Sequence, residues 1–220
     1  MRSMFDQQLK TLNEEMLYMG GLCEDTIQQT IEALMSGDVK KAHALNNMMS
    51  QLTQQERSIE NICLKLLMQQ QPVARDLRTI SSSLKMVTDM ERIGIQACEI
   101  AEIIAAGNVV RATDKVDFQE LSNEVSHMVQ MAMMAYDKKD MNLADEVIKY
   151  DDVVDKLFCD IRGDLIKQLK DDTNDAECFI DMLMIDKYFE RIGDHAVNIA
   201  SWVKLSLTGE IQTVESAGEY

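Results

Sequence analysis

A chain of 220 residues with a formal net charge of −16 is long enough for two packed subdomains as readily as one. It is too acidic to hold nucleic acid, whose binding depends on Lys and Arg displacing counterions. The same charge opposes an anionic lipid surface, and no run of about eighteen apolar residues exists to span a bilayer, so no direct membrane insertion is expected.

One proline and nine glycines, set among many Met, Leu, Ala, Glu, Gln and Lys residues, point to an all-α chain. The opening stretch from Met1 to Gln8 lacks the apolar segment and small-residue cleavage site of a secretory signal, which leads us to expect a cytoplasmic protein. Cys23, Cys63, Cys98, Cys159 and Cys178 are odd in number and form no Cys-x-x-Cys pair. They are read as small buried hydrophobes.

In chain order, turn signals fall at Ser36-Gly37-Asp38, at Gln71-Pro72, at Gly107-Asn108, more weakly from Tyr136 to Asp140, and from Lys170 to Asp175. They predict six helices over about 4–35, 39–70, 74–106, 114–136, 141–169 and 175–207. Apolar residues recur at helical spacing in each, as in Ile59, Ile62, Cys63, Leu66 and Leu67, or Leu183, Ile192, Ala196, Ile199 and Val203. Segments of this length suit antiparallel bundles with short connections.

An internal repeat organises the six. Glu91-Arg92-Ile93-Gly94 returns 99 residues later as Glu190-Arg191-Ile192-Gly193, and the same displacement brings Ala97 to Ala196, Ile100 to Ile199, Leu66 to Leu165 and Glu56 to Asp155. The chain is thus predicted as a tandem repeat of two antiparallel three-helix bundles, residues 1–108 and 109–208, followed by an acidic tail over 209–220. Gly94 and Gly193 lie mid-helix at a cost of about 1 kcal/mol relative to alanine, which implies close approach of a neighbouring helix; Gly20-Gly21 suggests the same.

Asp186, Glu190 and Asp194 stand four residues apart and share one helix face. Asp151 and Asp155 form a similar pair on the preceding helix, with Asp152 beside them. Two readings stay open: the ridges face each other and offer oxygen ligands to a multivalent metal, or they line a solvated face relieved by Lys187 and Arg191. The first repeat carries Val87 and Ile95 where the second carries Asp186 and Asp194, which leaves a weaker candidate set of Glu56, Glu60 and Glu91. Arg92 and Arg191 are candidates for a salt bridge or for a docking surface. His43, His127 and His195 lack a second histidine or a cysteine at ligand spacing, and the seventeen methionines are read as core.

Met19-Gly20-Gly21-Leu22, the stretch Gln71-Pro72-Val73-Ala74-Arg75-Asp76-Leu77-Arg78, and the two Glu-Arg-Ile-Gly copies, the second extending to Ala200, together resemble the PhoU family over nearly the whole chain. The resemblance implies a fold of two three-helix bundles, often dimeric. It implies a negative regulator of phosphate uptake and of phosphate-starvation signalling, acting without catalysis between a phosphate ABC transporter ATPase and a sensor histidine kinase. It also implies metal binding through Glu/Asp-x-x-x-Asp pairs. Glu190 with Asp194 matches that pattern and Asp151 with Asp155 is the companion pair, the ion being iron, zinc, manganese or nickel. Ile95 breaks the pattern in the first copy.

Two other readings compete. A carboxylate-bridged di-iron oxidase needs Glu-x-x-His on two helices, and in the sequence only Glu124 with His127 fits. A helical scaffold regulating another transporter is compatible with the fold.

Overall fold

The computed structural model describes residues 2–69, 72–109, 116–171 and 175–210, and these are helical almost throughout. The elements are α1 (Arg2–Ser36), α2 (Val39–Ala44), α3 (Asn46–Gln69), α4 (Ala74–Ala106), α5 (Gln119–Lys138), α6 (Met141–Asp171) and α7 (Ala176–Thr208). Residues 211–220 of the tail expected over 209–220 lie outside the described residues, as do parts of the expected turns at Gln71 and 172–174.

Both units begin with the same joint. Gly37, at φ 61°, and Lys139, at φ 53°, take the left-handed conformation that ends a helix. The next residue in each case is an aspartate whose N–H reaches back to the carbonyl of Ala33 or Ala135, 3.1 Å in both. The same aspartate caps the following helix: Asp38 Oδ1 accepts from the N–H groups of Lys40 and Lys41, and Asp140 Oδ1 from those of Asn142 and Leu143. One residue type thus ends one helix and starts the next in both copies.

The expected single helix over 39–70 is broken at Leu45, where bonds tighten to three-residue spacing: Leu45 N–H to the Ala42 carbonyl at 3.2 Å and Met48 N–H to the Leu45 carbonyl at 2.8 Å. The reason is register. Asp38 precedes Leu52 by fourteen residues, whereas Asp140 precedes Asp151 by eleven, and Leu52 and Asp151 are equivalent under the 99-residue displacement. Three surplus residues turn a helix by about 300°, short of a full turn. The break lets Ala42 and Leu52 both point squarely into the core, where each is fully buried. A second difference lies at α5, which starts at Gln119 after a non-helical stretch over 116–118, while the expected start near 114 lies outside the described residues. Asp117 takes the Gln119 N–H at 2.8 Å, and Val116 and Phe118 turn inward ahead of the helix.

Helices α1, α3 and α4 pack into one bundle and α5, α6 and α7 into another. The most extensive seam joins α4 to α7, with a smaller one between α1 and α5. Buried side chains from both bundles form one continuous core. Close approach at three of the glycines is evident. A Cβ on Gly94 would run into Leu52, one on Gly193 would lie 3.3 Å from Val154 Cγ1, and one on Gly20 would strike the Met133 thioether of α5, whereas Gly21 faces open space. Four cysteines are buried as expected, but Cys159 is exposed on α6.

At the α4–α7 seam Asp89 accepts three hydrogen bonds from α7: from the His195 ring at 2.8 Å, Asn198 at 3.1 Å and the Trp202 indole at 3.0 Å. Further along α4, Glu99 bonds Tyr188 near the middle of α7. The displacement of 99 carries Asp89 onto Tyr188 and Glu99 onto Asn198, so the two contacts are copies of each other. Helices α4 and α7 therefore cross antiparallel with approximate two-fold symmetry.

Candidate carboxylate site between α6 and α7

Glycine 193 lets α6 lie close to α7, and Asp151 Oδ1 comes within 3.8 Å of where its Cβ would be. Asp151, one turn from Asp155 on α6, is thereby set beside the α7 ridge. Burial, with Asp155, Asp194 and Glu190 adding repulsion, pushes Asp151 up to about 7. Asp155 is raised by burial and by Glu190. Asp194 is pushed up to about 6 by burial and by Glu190, with Asp155 adding less. The four expected residues are thus electrostatic neighbours.

Asp186 goes further than the expected ridge. It is 0% exposed, neither of its carboxylate oxygens has a hydrogen-bond partner, and burial followed by Glu190 pushes it up to about 8. A solvated face does not describe this residue. The signal was present in the sequence, since Asp186 falls inside the apolar stripe Met182, Ile185, Phe189, Ile192 and Ala196, all buried.

The compensating charge is Lys187. Its ammonium lies 2.6 Å from Glu190 Oε1, with 40% of the lysine and 13% of the glutamate side chain exposed, while Glu190 Oε2 is buried without a partner. The same ammonium sits 5.2 Å from the centre of the Phe158 ring, which Arg162 also approaches at 5.4 Å. Lys187 and Arg162 both oppose the rise of Asp186.

The donor chemistry, all carboxylate oxygen, suits a hard multivalent cation, and the orphaned oxygens of Asp186 and Glu190 mark unmet demand for positive charge. Among the described residues, however, no three Asp, Glu, His or Cys side chains converge closely enough to hold a metal ion as they stand. The set fits a metal in composition and charge. One member of the set, Glu190, is paired with the Lys187 ammonium.

In the first bundle Glu56, Glu60 and Glu91 are also neighbours, and burial, then Glu91 and Glu60, raises Glu56. Glu91 accepts a hydrogen bond from Thr53 at 2.8 Å. Leu52 and Val87, fully buried, stand in place of Asp151 and Asp186. Asp89, two residues before Glu91, is committed to α7. Arg92 and Arg191 are both exposed. Glu124 bonds the Tyr150 hydroxyl at 2.5 Å, and His127 meets the edge of the same ring, so this pair is engaged with a tyrosine and not with the acidic ridge.

A sequence model described as the PhoU domain matches residues 16–104 and again 118–203. The chain belongs to the PhoU family. It is 33% identical over 211 residues to a "phosphate-specific transport system accessory protein PhoU homolog" of Clostridium acetobutylicum, covering 95% of this chain and 96% of that protein. A protein of the same description from Pseudomonas aeruginosa is 32% identical, with 90% and 83% covered. The crystal structure of PhoU from Pseudomonas aeruginosa superposes with a TM-score of 0.88 at 31% identity, over 94% of this chain and 100% of that one. That of the phosphate transport system regulatory protein PhoU from Streptococcus pneumoniae gives 0.87 at 23% identity, over 94% and 99%, a likeness of fold. The duplicated motif and the tandem all-helical architecture are thus those of the PhoU family, met twice in one chain.

Proposed function

We propose that this PhoU-family chain is an accessory protein of a phosphate transport system that restrains phosphate uptake and phosphate-starvation signalling. It does so as a non-enzymatic cytoplasmic adaptor between the transporter ATPase and a sensor histidine kinase. The observation that carries the proposal is the match of both repeats, over nearly the full length, to proteins named for phosphate-specific transport. Among the described residues no helix is long and apolar enough to cross a membrane, which suits a protein that meets its transporter from outside the bilayer. Exposed Arg92 and Arg191 are the proposed contact residues, one on each copy.

The test is co-purification of the tagged chain with the transporter ATPase and the kinase, paired with gene deletion. Raised phosphate uptake and raised starvation-gene expression in phosphate-replete medium are expected on deletion. Unchanged levels of both would refute the proposal.

A second part of the reading concerns the carboxylates. Asp151, Asp155, Asp186, Glu190 and Asp194 are proposed to hold one multivalent ion, iron, zinc, manganese or nickel. When bound, the ion supplies positive charge that neutralises the cluster and ties α6 to α7. Asp186 supports this most directly, because a fully buried carboxylate with two unpartnered oxygens is costly unless a cation meets it. Elemental analysis of the purified protein tests it, and a metal content unchanged by Glu190→Gln with Asp194→Asn would remove these ligands from consideration.

A further inference from the structure

Resting on the metal reading of the α6–α7 site, we propose that Lys187 is a tethered counter-ion that holds the carboxylate cluster in its metal-free arrangement and must leave Glu190 before a metal ion can bind. Lys187 is thus a competitor built into the chain, and it sets how readily the site loads.

Geometry comes first. The Lys187 ammonium takes Glu190 Oε1 at 2.6 Å, an oxygen on the residue that stands between Asp186 and Asp194 in the α7 ridge. A cation ligated by Glu190 must take that oxygen or its unpartnered twin. Either choice brings a multivalent charge within a few ångströms of an ammonium, where like charges repel strongly at the reduced dielectric of a half-buried site. Paired with Glu190, the ammonium already performs part of the neutralisation a metal would perform.

The second consideration is that the ammonium has a way out. Two-fifths of the Lys187 side chain is exposed, its stem is flexible, and the Phe158 face lies 5.2 Å from the ammonium as it stands. The third is the internal comparison. Where the first copy has Leu52, Val87 and Ile95 in place of Asp151, Asp186 and Asp194, it has Thr88 in place of Lys187. The lysine occurs in the copy that has these three acids and not in the copy that lacks them, as expected of a residue that serves the acids and not the bundle.

The experiment is calorimetric titration of the metal-free chain with Zn(II) alone, for wild type, Lys187→Met and Lys187→Arg, with thermal melts before and after addition. We expect Lys187→Met to bind Zn(II) at least tenfold tighter, to melt lower than wild type without metal, and to gain more on loading. Lys187→Arg should stay near wild type. In a Glu190→Gln background the Lys187→Met gain should disappear, which assigns it to this pair. Zinc binding by wild type that Lys187→Met leaves equal or weaker would overturn the inference and leave the metal site standing. No uptake by either protein of Zn(II), nor of Fe(II), Mn(II) or Ni(II) titrated in the same way, would overturn both.

Discussion

Two glycines at equivalent points of the two repeats are packed by different chemistry. Against Gly94 the neighbouring helix sets Leu52, and against Gly193 it sets Val154 and the carboxylate of Asp151. The same split recurs along the ridge, with Val87 and Ile95 in one copy and Asp186 and Asp194 in the other. The first bundle demonstrates that this helix crossing needs a glycine and an apolar filler and no acid at these three places. The acids of the second bundle are therefore not required by the architecture, and they carry a cost in desolvation and mutual repulsion that the first bundle avoids. Residues that burden a fold at positions where its own duplicate does without them are the natural place to look for function.

The comparison breaks most sharply if an acid is moved across. Val87→Asp puts a carboxylate at the position equivalent to Asp186, but without the Lys187 counterpart. We expect a loss of about 4 kcal/mol in chemical denaturation; tolerance of the change would mean that Lys187 and Arg162 are not what makes Asp186 bearable. Next in size is the seam. Asp89→Ala strands three donors, on His195, Asn198 and Trp202, and should cost about 3 kcal/mol. Tyr188→Phe, which removes the single bond of the equivalent contact to Glu99, should cost about 1 kcal/mol. Gly94→Ala must displace Leu52 and should lose about 2 kcal/mol. At Gly193 the nearest atom is 3.3 Å away, so the alanine helix preference of about 1 kcal/mol leaves Gly193→Ala near neutral.

A further test is the dependence on pH. In the fold Asp151, Asp186 and Asp194 titrate at about 7, 8 and 6, above the range near 4 of an unfolded aspartate. With folded values raised, the stability these groups contribute is fully present below about pH 4 and is lost as pH rises toward 8. The metal-free protein should accordingly melt a few degrees higher at pH 6 than at pH 8.5. Asp186→Asn should raise the melting temperature at pH 8.5 and flatten that slope. A melting temperature that climbs from pH 6 to 8.5 would contradict the raised values.

Much of this was legible in the residues. Helix positions followed from the apolar period and from a few turn signals, and the displacement of 99 residues exposed the duplication and the role of Gly94 and Gly193. The break at Leu45 was legible only by comparing two displacements, 102 at the capping aspartates and 99 at the motif, because a local surplus of three residues does not disturb helix propensity. The acids of the candidate site could be named from their spacing, but the burial of Asp186 depended on reading it as part of an apolar stripe. The Asp89 contacts left no local trace, since their partners lie more than a hundred residues away, and no spacing rule reaches that far.

The antiparallel pair of α4 and α7 amounts to a dimer seam whose two halves are written in a single chain. In a true homodimer every substitution is made twice, so a buried charge would have to be accommodated on both sides of the axis at once. Joining the copies covalently lifts that requirement. One side could stay an ordinary apolar strut while the other took on the awkward carboxylates, and the strut supplies the rigidity that lets its twin be unstable in a useful way.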